Sequence, residues 1–518
     1  MGLIGSWLAG IAAGASGGAV RPLPQAVRRG SWVYRTTQGS TAGVHRHYVR
    51  VLERFERSLM RAGDVPGLRV WGQAGIPRRW ETQHLLILGM SGAGKTSGPL
   101  WPLLQQLLAR GDRVILWDAK ASYAAAMAPL PQVRLVAPWD RRSIVWDVAA
   151  DVRSCIDAQE FAKTLVPPVP GEKDPYWRDS ARRIVESLVS ALQASGGPWG
   201  WKELWAPIEA GKEALAAVIA RVPSGQAAAA LIDGDRTSAN DVYSTVVSVA
   251  STSLRWLAAA WPSTARGLSL RNWVESDDPG QGLPRVLVIP GLPRFGELAG
   301  MTARLVLETV AREALSLPDD LERRIWLFCD EFSSLGRVDA VARAGTEGRS
   351  RGLCLVVGIQ DLARVEAIWG REIAQTLANV FSTIVVMRCG DPATAEWASK
   401  VLGEQEVDER YTTRSTSTSS KGWFDASNTD SRQEHARIAV QRAVLPAEVM
   451  HLPDRVGILR IPNWPLFVLA WPLSRVPQVA ATIELAPWAA GVETLLPAAP
   501  RAREESGRTL DVLRQWGR

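Results

Sequence analysis

The sequence predicts an α/β domain with a largely parallel central sheet, into which an all-helical domain is inserted. Short apolar runs bounded by turn residues recur between residues 85 and 136 and again from residue 285 onward, and each has the length of a buried strand. Between residues 151 and 266 such runs are missing, and amphipathic helical stretches such as residues 181–193 replace them. Alternating strands and helices are typical of a parallel sheet covered on both faces, and the uniformly helical stretch predicts an insertion.

Length and composition restrict the class of protein. The chain has 518 residues, enough for two or three domains. Its hydrophobic fraction of 46% and charged fraction of 22% exclude a largely disordered chain. The net charge of +7 and the pI of about 9.4 are compatible with a nucleic-acid partner or an anionic membrane, without deciding between them.

A glycine-rich loop follows the first predicted strand. The apolar residues 85–88 run directly into Gly-Met-Ser-Gly-Ala-Gly-Lys-Thr, and residues 100–108 then have a helical pattern. Strand, loop and helix in this order predict a phosphate loop, because glycines let successive N–H groups turn inward and the helix N-terminus adds its positive dipole end. Lys95 is predicted to reach the β- and γ-phosphates of ATP, and the Thr96 hydroxyl to bind Mg²⁺. The predicted nucleotide-binding residues are Gly89, Ser91, Gly92, Ala93, Gly94, Lys95, Thr96 and Ser97.

Two further strands end in acidic residues. The second predicted strand ends at Asp118, and Lys120 follows; ligands of such strand–helix–strand units bind at the carboxyl ends of the strands. A later apolar run, residues 325–329, ends in Asp330 and Glu331. Placed after the phosphate loop in this order, the pair predicts that Asp330 holds the Mg²⁺ shell and that Glu331 polarises the attacking water as general base.

Gln360 directly follows another buried strand, residues 353–359. A glutamine at the carboxyl end of a strand can contact the γ-phosphate or the attacking water. From its position alone, Gln360 could also begin an ordinary loop, which is the less favoured alternative.

The N-terminal segment is compatible with two structures. Residues 2–20 are uncharged, rich in glycine and alanine and about as long as a bilayer crossing requires, and basic residues follow from Arg21. They contain few large apolar side chains, so a single membrane anchor and a segment that does not cross a membrane both fit. A cleaved signal peptide is not favoured, because no basic region precedes the segment.

Cysteine usage and local composition give three further expectations. The four cysteines are widely spaced and form no C-x-x-C pair, which predicts free, mostly buried thiols in a reduced, cytoplasmic chain. The five histidines show no metal-ligand spacing beyond His45 and His47. Residues 412–433 are rich in Ser, Thr and Asp and nearly free of apolar side chains, which predicts a mobile loop.

Further segments give the chain a family resemblance over about residues 82–473. In order with the two nucleotide motifs they are Asp140-Arg-Arg-Ser-Ile-Val-Trp-Asp147, Asp174-Pro-Tyr-Trp177, Leu268-Ser-Leu-Arg-Asn-Trp-Val274, Glu347-Gly-Arg349, Gly358-Ile-Gln360, Ala395-Glu-Trp397 and Leu445-Pro-Ala-Glu448. With them the chain resembles the type IV coupling proteins of conjugation and type IV secretion, specifically the TraD-like group within the FtsK–HerA motor ATPases.

The resemblance implies a RecA-like P-loop NTPase core that carries an inserted all-α domain and assembles as a homo-hexamer around a channel for single- or double-stranded DNA. It also implies ATP-driven delivery of a relaxase–DNA substrate to a type IV secretion channel, at the cytoplasmic face of the inner membrane. By position, Gln360 matches the glutamine that senses the γ-phosphate. Arg349 matches the arginine supplied to the neighbouring subunit's site, with Arg351 as an alternative. Typical members carry two transmembrane helices, whereas only residues 2–20 are a candidate here.

The chain is expected to divide into an N-terminal segment (1–75), two parts of the nucleotide-binding domain (76–150 and 269–475), the helical insertion (151–268) and a C-terminal tail (476–518). Two other functions stay open from the sequence. One is a secretion adaptor ATPase that recruits protein effectors without moving DNA, and the other is a double-stranded DNA pump of the FtsK/HerA type. The insertion argues against the pump, because the related segregation motors lack one there.

Overall fold

The computed structural model describes residues 65–491 apart from residues 72–73, 168–173, 235–236, 263–266, 277–281, 372–373, 375–378, 421–425 and 463–465, and it gives only the backbone of residues 71, 74, 405–420, 426–439 and 441. In this part of the chain no helix is long and apolar enough to cross a membrane, and no group of three His, Cys, Asp or Glu side chains could hold a metal ion. The predicted anchor at residues 2–20 and the pair His45 and His47 lie outside the described residues.

Strands and helices alternate as the sequence predicts. The strands are β1 (Pro66–Trp71), β2 (Ala74–Pro77), β3 (Leu85–Leu88), β4 (Arg113–Asp118), β5 (Val133–Leu135), β6 (Val286–Pro290), β7 (Ile325–Cys329), β8 (Leu353–Ile359), β9 (Thr383–Met387), β10 (Glu404–Ser420), β11 (Ala426–Arg442), β12 (Val456–Arg460) and β13 (Phe467–Ala470). The α-helices are α1 (Trp101–Arg110), α2 (Ala124–Met127), α3 (Val148–Asp151), α4 (Cys155–Leu165), α5 (Tyr176–Ala194), α6 (Trp201–Glu209), α7 (Lys212–Ile219), α8 (Gln226–Ile232), α9 (Thr237–Ser251), α10 (Leu254–Ala260), α11 (Leu270–Glu275), α12 (Gly296–Ser316), α13 (Asp339–Glu347), α14 (Leu362–Trp369), α15 (Pro392–Leu402), α16 (Pro446–Met450) and α17 (Pro487–Ala490).

The first of two compact units contains the strand that precedes the phosphate loop. It comprises the described residues up to Leu104 together with Val357–Arg475. Its strand order is β13-β12-β9-β3-β8, in which β3 is parallel to β9 and β12 is antiparallel to both of its neighbours. All four residues of β3 are buried, as are the five of β9, so the strand before the loop is covered on both faces.

The second unit contains the acidic strand ends and the helical insertion. It comprises Gln105–Val356 and the described residues from Val476 onward, and β8 contributes residues to both units. Its strand order is β8-β7-β4-β6-β5, with β4 parallel to β6 and β7, and β5 parallel to β6. Every residue of β4, β6 and β7 is buried. The predicted α/β fold with a parallel-rich sheet is therefore confirmed.

The described chain between β5 and β6 contains helices and no strand. The core of this helical insertion is aromatic, because the Trp201 ring lies 5.2 Å from Trp146, 5.9 Å from Trp261 and 6.1 Å from Phe161 between centroids. The Trp201 Nε1–H donates to the carbonyl of Trp146 at 3.0 Å, so the buried indole is also hydrogen-bonded.

The two chain segments that join the insertion to the sheet run side by side, and we call them the neck (residues 145–151 and 268–271). The Leu268 N–H donates to Val145 O at 2.8 Å, and the Asp147 N–H donates to Leu268 O at 3.0 Å. The carboxylate of Asp151 is fully buried and accepts from Trp146 Nε1, Ser269 Oγ and the N–H groups of residues 270 and 271. One carboxylate therefore clamps the entry and the exit of the insertion.

The chain returns to the second unit after β13. The Ala480 N–H donates to Ala125 O at 3.0 Å, and Glu484 forms an ion pair with Arg141 at 2.5 Å. Trp488 stacks on Trp256 of the insertion with ring centroids 5.3 Å apart. The described part of the predicted tail thus packs on this unit.

The prediction of a mobile loop at residues 412–433 is wrong for the residues described there. They belong to an antiparallel hairpin in which all of β10 pairs with all of β11, from Glu404 opposite Arg442 to Ser420 opposite Ala426. A two-stranded ribbon buries little apolar surface, so its strands do not need alternating apolar residues. The threonines, which contributed to the polar composition behind the loop prediction, favour extended backbone.

Candidate nucleotide-binding site

The phosphate loop has a backbone shape that its glycines permit. Gly92 and Gly94 have φ angles of +80° and +91°, a region that residues with a side chain rarely adopt. The Gly89 N–H donates to Ile359 O at 3.0 Å, and the Met90 N–H donates to Arg388 O at 2.7 Å, which ties the start of the loop to the ends of β8 and β9. Thr96–Leu100 then form one π-helical turn, and α1 continues from it.

The side chain of Lys95 folds back over this loop. Only 8% of the residue is exposed, and its Nζ donates to Gly89 O at 2.5 Å and to Met90 O at 3.3 Å. Phosphate oxygens are stronger acceptors for an ammonium than carbonyl oxygens, because they carry charge. The loop therefore holds a cation where an anion is predicted to bind.

Gln360 lies beside the start of the same loop. It directly follows β8, whose last carbonyl, on Ile359, accepts the N–H of Gly89, and it is half-buried. Within the first unit the structure thus brings together the predicted loop residues and the predicted γ-phosphate sensor.

Arg455, which no sequence motif indicates, packs directly against the loop. Its N–H donates to Ala93 O at 2.8 Å, and a Cβ at Gly94 would lie 2.5 Å from its Cγ. Arg455 has a φ of +59°, and its buried Nε has no hydrogen-bond partner among the residues that the structure describes. An unusual backbone conformation and an unpaired guanidinium nitrogen at this place are features of a functional position.

The acidic pair lies at the carboxyl end of β7 in the second unit. Asp330 and Glu331 are 4% and 7% exposed. The Ser333 hydroxyl donates to Glu331 Oε1 at 2.5 Å, which fixes the orientation of the carboxylate. Ser334 Oγ donates to Glu331 O at 2.7 Å and accepts from Trp117 Nε1 at 2.8 Å, so the loop after the pair is fastened to β4.

Asp118 forms a second buried carboxylate beside Asp330. β4 and β7 are parallel neighbours, with Trp117 opposite Cys329, so both strands end at the same level. Burial, together with the nearby negative charge of Asp330, raises the pKa of Asp118 to about 7, although three backbone N–H groups donate to its carboxylate. Asp118 ends β4, as the sequence predicts, and its placement near the nucleotide stays a prediction. A desolvated pair of carboxylates is the kind of site that a divalent cation stabilises.

Arg349 lies away from these groups on the surface of the second unit. It is exposed on a short 3₁₀ helix, Gly348–Arg351, and its side chain has no hydrogen bond or ion pair within the described residues. Arg351 differs, because its Nη1 donates to Glu347 O at 3.3 Å and its Nε is buried. Of the two arginines, Arg349 is the one available to another molecule.

Comparison with known proteins identifies the family. The model of the type IV secretion-system coupling protein DNA-binding domain matches residues 69–470, which is most of the chain. The chain belongs to this coupling-protein family. Coupling protein TraD of Escherichia coli is 24% identical over 461 residues, which cover 88% of this chain and 62% of TraD. Conjugal transfer protein TraG of Agrobacterium fabrum is 24% identical over 288 residues, 54% of this chain and 42% of TraG. The coupling-protein chain therefore spans less than two thirds of the length of these relatives.

Solved coupling proteins have the same fold. An unbound monoclinic form of the bacterial conjugative coupling protein TrwB matches with a TM-score of 0.68 at 25% identity, covering 83% of this chain and 94% of that one. TrwB in complex with ADP and Mg²⁺ matches with a TM-score of 0.67 at 25% identity, covering 84% and 95%.

Two of the segments that resemble coupling proteins belong to the neck or adjoin it. Residues 140–147 and 268–274 are far apart in the sequence, yet Trp146 and Leu268 form a bridge between parallel segments. The Arg271 side chain extends the contact to α12 through Glu313 at 2.8 Å. These segments are therefore part of the joint between sheet and insertion, and the predicted nucleotide-binding loop belongs to the other unit.

Proposed function

We propose that this coupling protein binds ATP with Mg²⁺ and hydrolyses it to drive DNA, presented by a relaxase, into a type IV secretion channel. The family match over residues 69–470 carries the proposal, and the chain adds a phosphate loop whose glycines adopt φ angles typical of such loops. We further propose a homo-hexameric ring at the cytoplasmic face of the inner membrane.

The residues present fit ATP and Mg²⁺. The loop from Gly89 to Ser97 offers N–H groups to the phosphates, and Lys95 exchanges its carbonyl acceptors for phosphate oxygens. Thr96 of the first unit and Asp330 of the second are the residues that would hold Mg²⁺ on this proposal. TrwB has been solved with ADP and Mg²⁺. When bound, Mg²⁺ neutralises charge on the β- and γ-phosphate oxygens.

Three further side chains carry the proposed hydrolysis. Glu331, held by the Ser333 hydroxyl, accepts the proton of the attacking water as general base. Gln360 orients the water or the γ-phosphate at the end of β8. Arg349, exposed and unpaired in the described residues, completes the site of a neighbouring subunit and meets the charge that develops on the transferred phosphoryl group.

The test is ATP hydrolysis by the purified chain, alone and with single- or double-stranded DNA, over a series of salt concentrations. We expect DNA to stimulate hydrolysis and the stimulation to decline with salt, because binding of the DNA backbone releases counterions. Hydrolysis that is indifferent to DNA would contradict the proposal and support the secretion adaptor. Stimulation by double strands alone would support the double-stranded DNA pump.

A further inference from the structure

A cavity of about 440 Å³ lies in the second unit, outside the predicted nucleotide residues. Helix α12 lines one side with Gly296, Gly300 and Arg304. The turn between α9 and α10 of the insertion contributes Thr252, and the loop after the acidic pair contributes Ser334 and Gly336. We call it the Arg304 pocket. It joins three functional parts of the unit: the insertion, α12 and the loop that follows Glu331.

The guanidinium of Arg304 is the positively charged group of this pocket. Within the described residues its buried Nε has no hydrogen bond and its side chain forms no ion pair. Burial lowers the pKa of Arg304 from its ordinary value, although Glu308, one turn further on, opposes this. Glu308 is already engaged, because its carboxylate accepts the Ala340 N–H at 3.1 Å and lies 3.8 Å from Arg343. A half-buried cation whose Nε has no acceptor favours the binding of an anion.

The floor of the Arg304 pocket reinforces its preference for anions. Helix α12 is 21 residues long and begins at Gly296, and its N-cap residue, Phe295, provides no side-chain hydrogen bond. The N-terminus of a helix attracts negative charge. A Cβ at Gly296 or at Gly300 would meet nothing within 4 Å, so a ligand can approach the helix backbone closely. The guanidinium and the helix N-terminus thus act on the same cavity.

We propose that the Arg304 pocket binds a phosphate group, either of a nucleic-acid backbone or of a free anion, and transmits its occupancy to Glu331. The alternative in which the phosphate belongs to DNA rests on the proposed function. The route is short: a Cβ at Gly336 would lie 3.9 Å from Arg304 Nη2, and Ser334 in the same loop is bonded to Glu331 O. A phosphate on Arg304 would also contact the insertion at Thr252. DNA held there restrains the loop that carries the general base.

Glu297 makes the proposal sharper, because its exposed carboxylate lines the same pocket and repels a phosphate. Replacing it should strengthen binding, whereas replacing Arg304 should weaken it. Arg312 provides a matched control on the same helix, since its Nε lies 3.3 Å from Glu313 and its charge is already paired. Loss of Arg312 lowers the net charge of the chain as much as loss of Arg304.

The experiment measures binding of a fluorescent single-stranded oligonucleotide to the full chain over a salt series. All variants carry Lys95→Ala, which removes binding at the phosphate loop. We expect Arg304→Ala to weaken binding about tenfold and to reduce the salt slope by about 0.7, the contribution of one phosphate of a single strand. Glu297→Gln should tighten binding a few-fold, and Arg312→Ala should bind as the Lys95→Ala parent does. With Lys95 restored, Arg304→Ala should retain basal ATP hydrolysis and lose its stimulation by DNA.

The outcomes separate the pocket from the proposed function. Arg304→Ala with the affinity and slope of the parent for oligonucleotide and for inorganic pyrophosphate overturns the pocket; Arg304→Gln repeats the test if the alanine variant does not fold. Dependence of pyrophosphate binding alone on Arg304 supports the pocket with a free anion as its ligand. Failure of the parent to bind any DNA contradicts the proposed function, and pyrophosphate then decides the pocket. If Arg304→Ala changes the assembly mass in light scattering but leaves anion binding intact, the phosphate proposal is overturned. That result would indicate that Arg304 instead pairs with a carboxylate of a second copy of the chain.

Discussion

The phosphate loop and the neck solve two different problems with different kinds of residues. The loop is a continuous stretch in which glycines shape the backbone and Lys95 supplies the charge. The neck joins segments more than a hundred residues apart, and a single buried carboxylate, that of Asp151, accepts donors from both. In the loop, Lys95 donates to backbone carbonyl oxygens that charged phosphate oxygens can replace, whereas in the neck Asp151 is the lasting partner of its donors.

This difference indicates how substitutions should act. A group that awaits a ligand contributes little to the stability of the unliganded chain, so its loss should remove function and leave folding nearly unchanged. A carboxylate that binds several buried donors contributes to stability, because its loss leaves those donors without acceptors.

Replacing Lys95 should separate function from stability most clearly. Lys95→Ala should reduce ATP turnover by about 10³-fold or more, because the cation that meets the phosphates is lost. Its urea midpoint should stay close to that of the native chain. Turnover is measured by phosphate release and folding by circular dichroism. The control is Lys400→Ala, which removes an exposed lysine on α15 and should change neither. Normal turnover by Lys95→Ala would refute the site assignment.

Replacing the arginine assigned to a neighbouring subunit should affect only the assembled ring. Arg349→Ala should lower hydrolysis by about 10³-fold, the lower end for arginines supplied to another NTPase site. Mixed with Lys95→Ala protein, it should regain activity, because in some interfaces the intact loop of one chain meets the intact arginine of the other. The measurement is hydrolysis as a function of mixing ratio. If no activity returned under conditions where mixed rings form, Arg349 would not act on the site of a neighbouring subunit.

Replacing the general base should abolish turnover while binding persists. Glu331→Gln keeps the size of the side chain and an acceptor for the Ser333 hydroxyl, but it cannot take a proton. Hydrolysis should decline by about 10²–10⁴-fold, the range for a lost general base. Binding of a fluorescent ATP analogue should remain near native. Glu366→Gln on α14, at an exposed position, is the control. Native turnover would show that another group acts as base.

Replacing the clamp of the neck should produce the opposite pattern. Asp151→Ala should lower the free energy of unfolding by about 3 kcal/mol, because buried donors on both sides of the neck lose their acceptor. Asp179→Ala, which removes an exposed partner of Arg182, should cost no more than about 1 kcal/mol. Urea unfolding followed by circular dichroism compares the two. Equal stability of the two variants would contradict the role of Asp151.

The smallest effect concerns acidity. Burial raises the pKa of Asp151 above the usual carboxyl value, against the lowering effect of its hydrogen bonds to Ser269 and Trp146. The folded chain therefore holds this proton more tightly than the unfolded chain. The resulting stabilisation is fully present below the unfolded-state pKa of about 3.9 and is lost as pH rises through the folded-state pKa. The unfolding free energy of the native chain, relative to Asp151→Asn, should thus decrease with rising pH in the acid range. If this difference in unfolding free energy increased with pH instead, the pKa of Asp151 would be lowered by folding, which would contradict the prediction.

Residues with a local signal could be predicted from the sequence. β3, the phosphate loop and the following helix are contiguous, and buried strands that end in Asp118, in Asp330 and in Gln360 are recognisable by their apolar runs. The fold class follows from the same pattern, since buried parallel strands are short apolar runs between helices.

Residues without a local signal could not be predicted. Arg455 reaches Gly94 only because β12 returns beside the loop, and nothing around residue 455 indicates that contact. The clamp at Asp151 likewise depends on Ser269, on the far side of the insertion. The hairpin of β10 and β11 was not predicted for a different reason. Composition indicates whether a segment can bury apolar surface, whereas this ribbon is held by backbone hydrogen bonds between its strands.

The most direct test of the central claim is DNA transfer by cells that lack the native gene for this chain and receive it back as native or Lys95→Ala protein at equal levels. The account predicts that the native chain restores transfer of the cognate relaxase-bound DNA. It also predicts that Lys95→Ala does not, although the variant folds and is produced. Equal transfer with both proteins would contradict an ATP-driven coupling function.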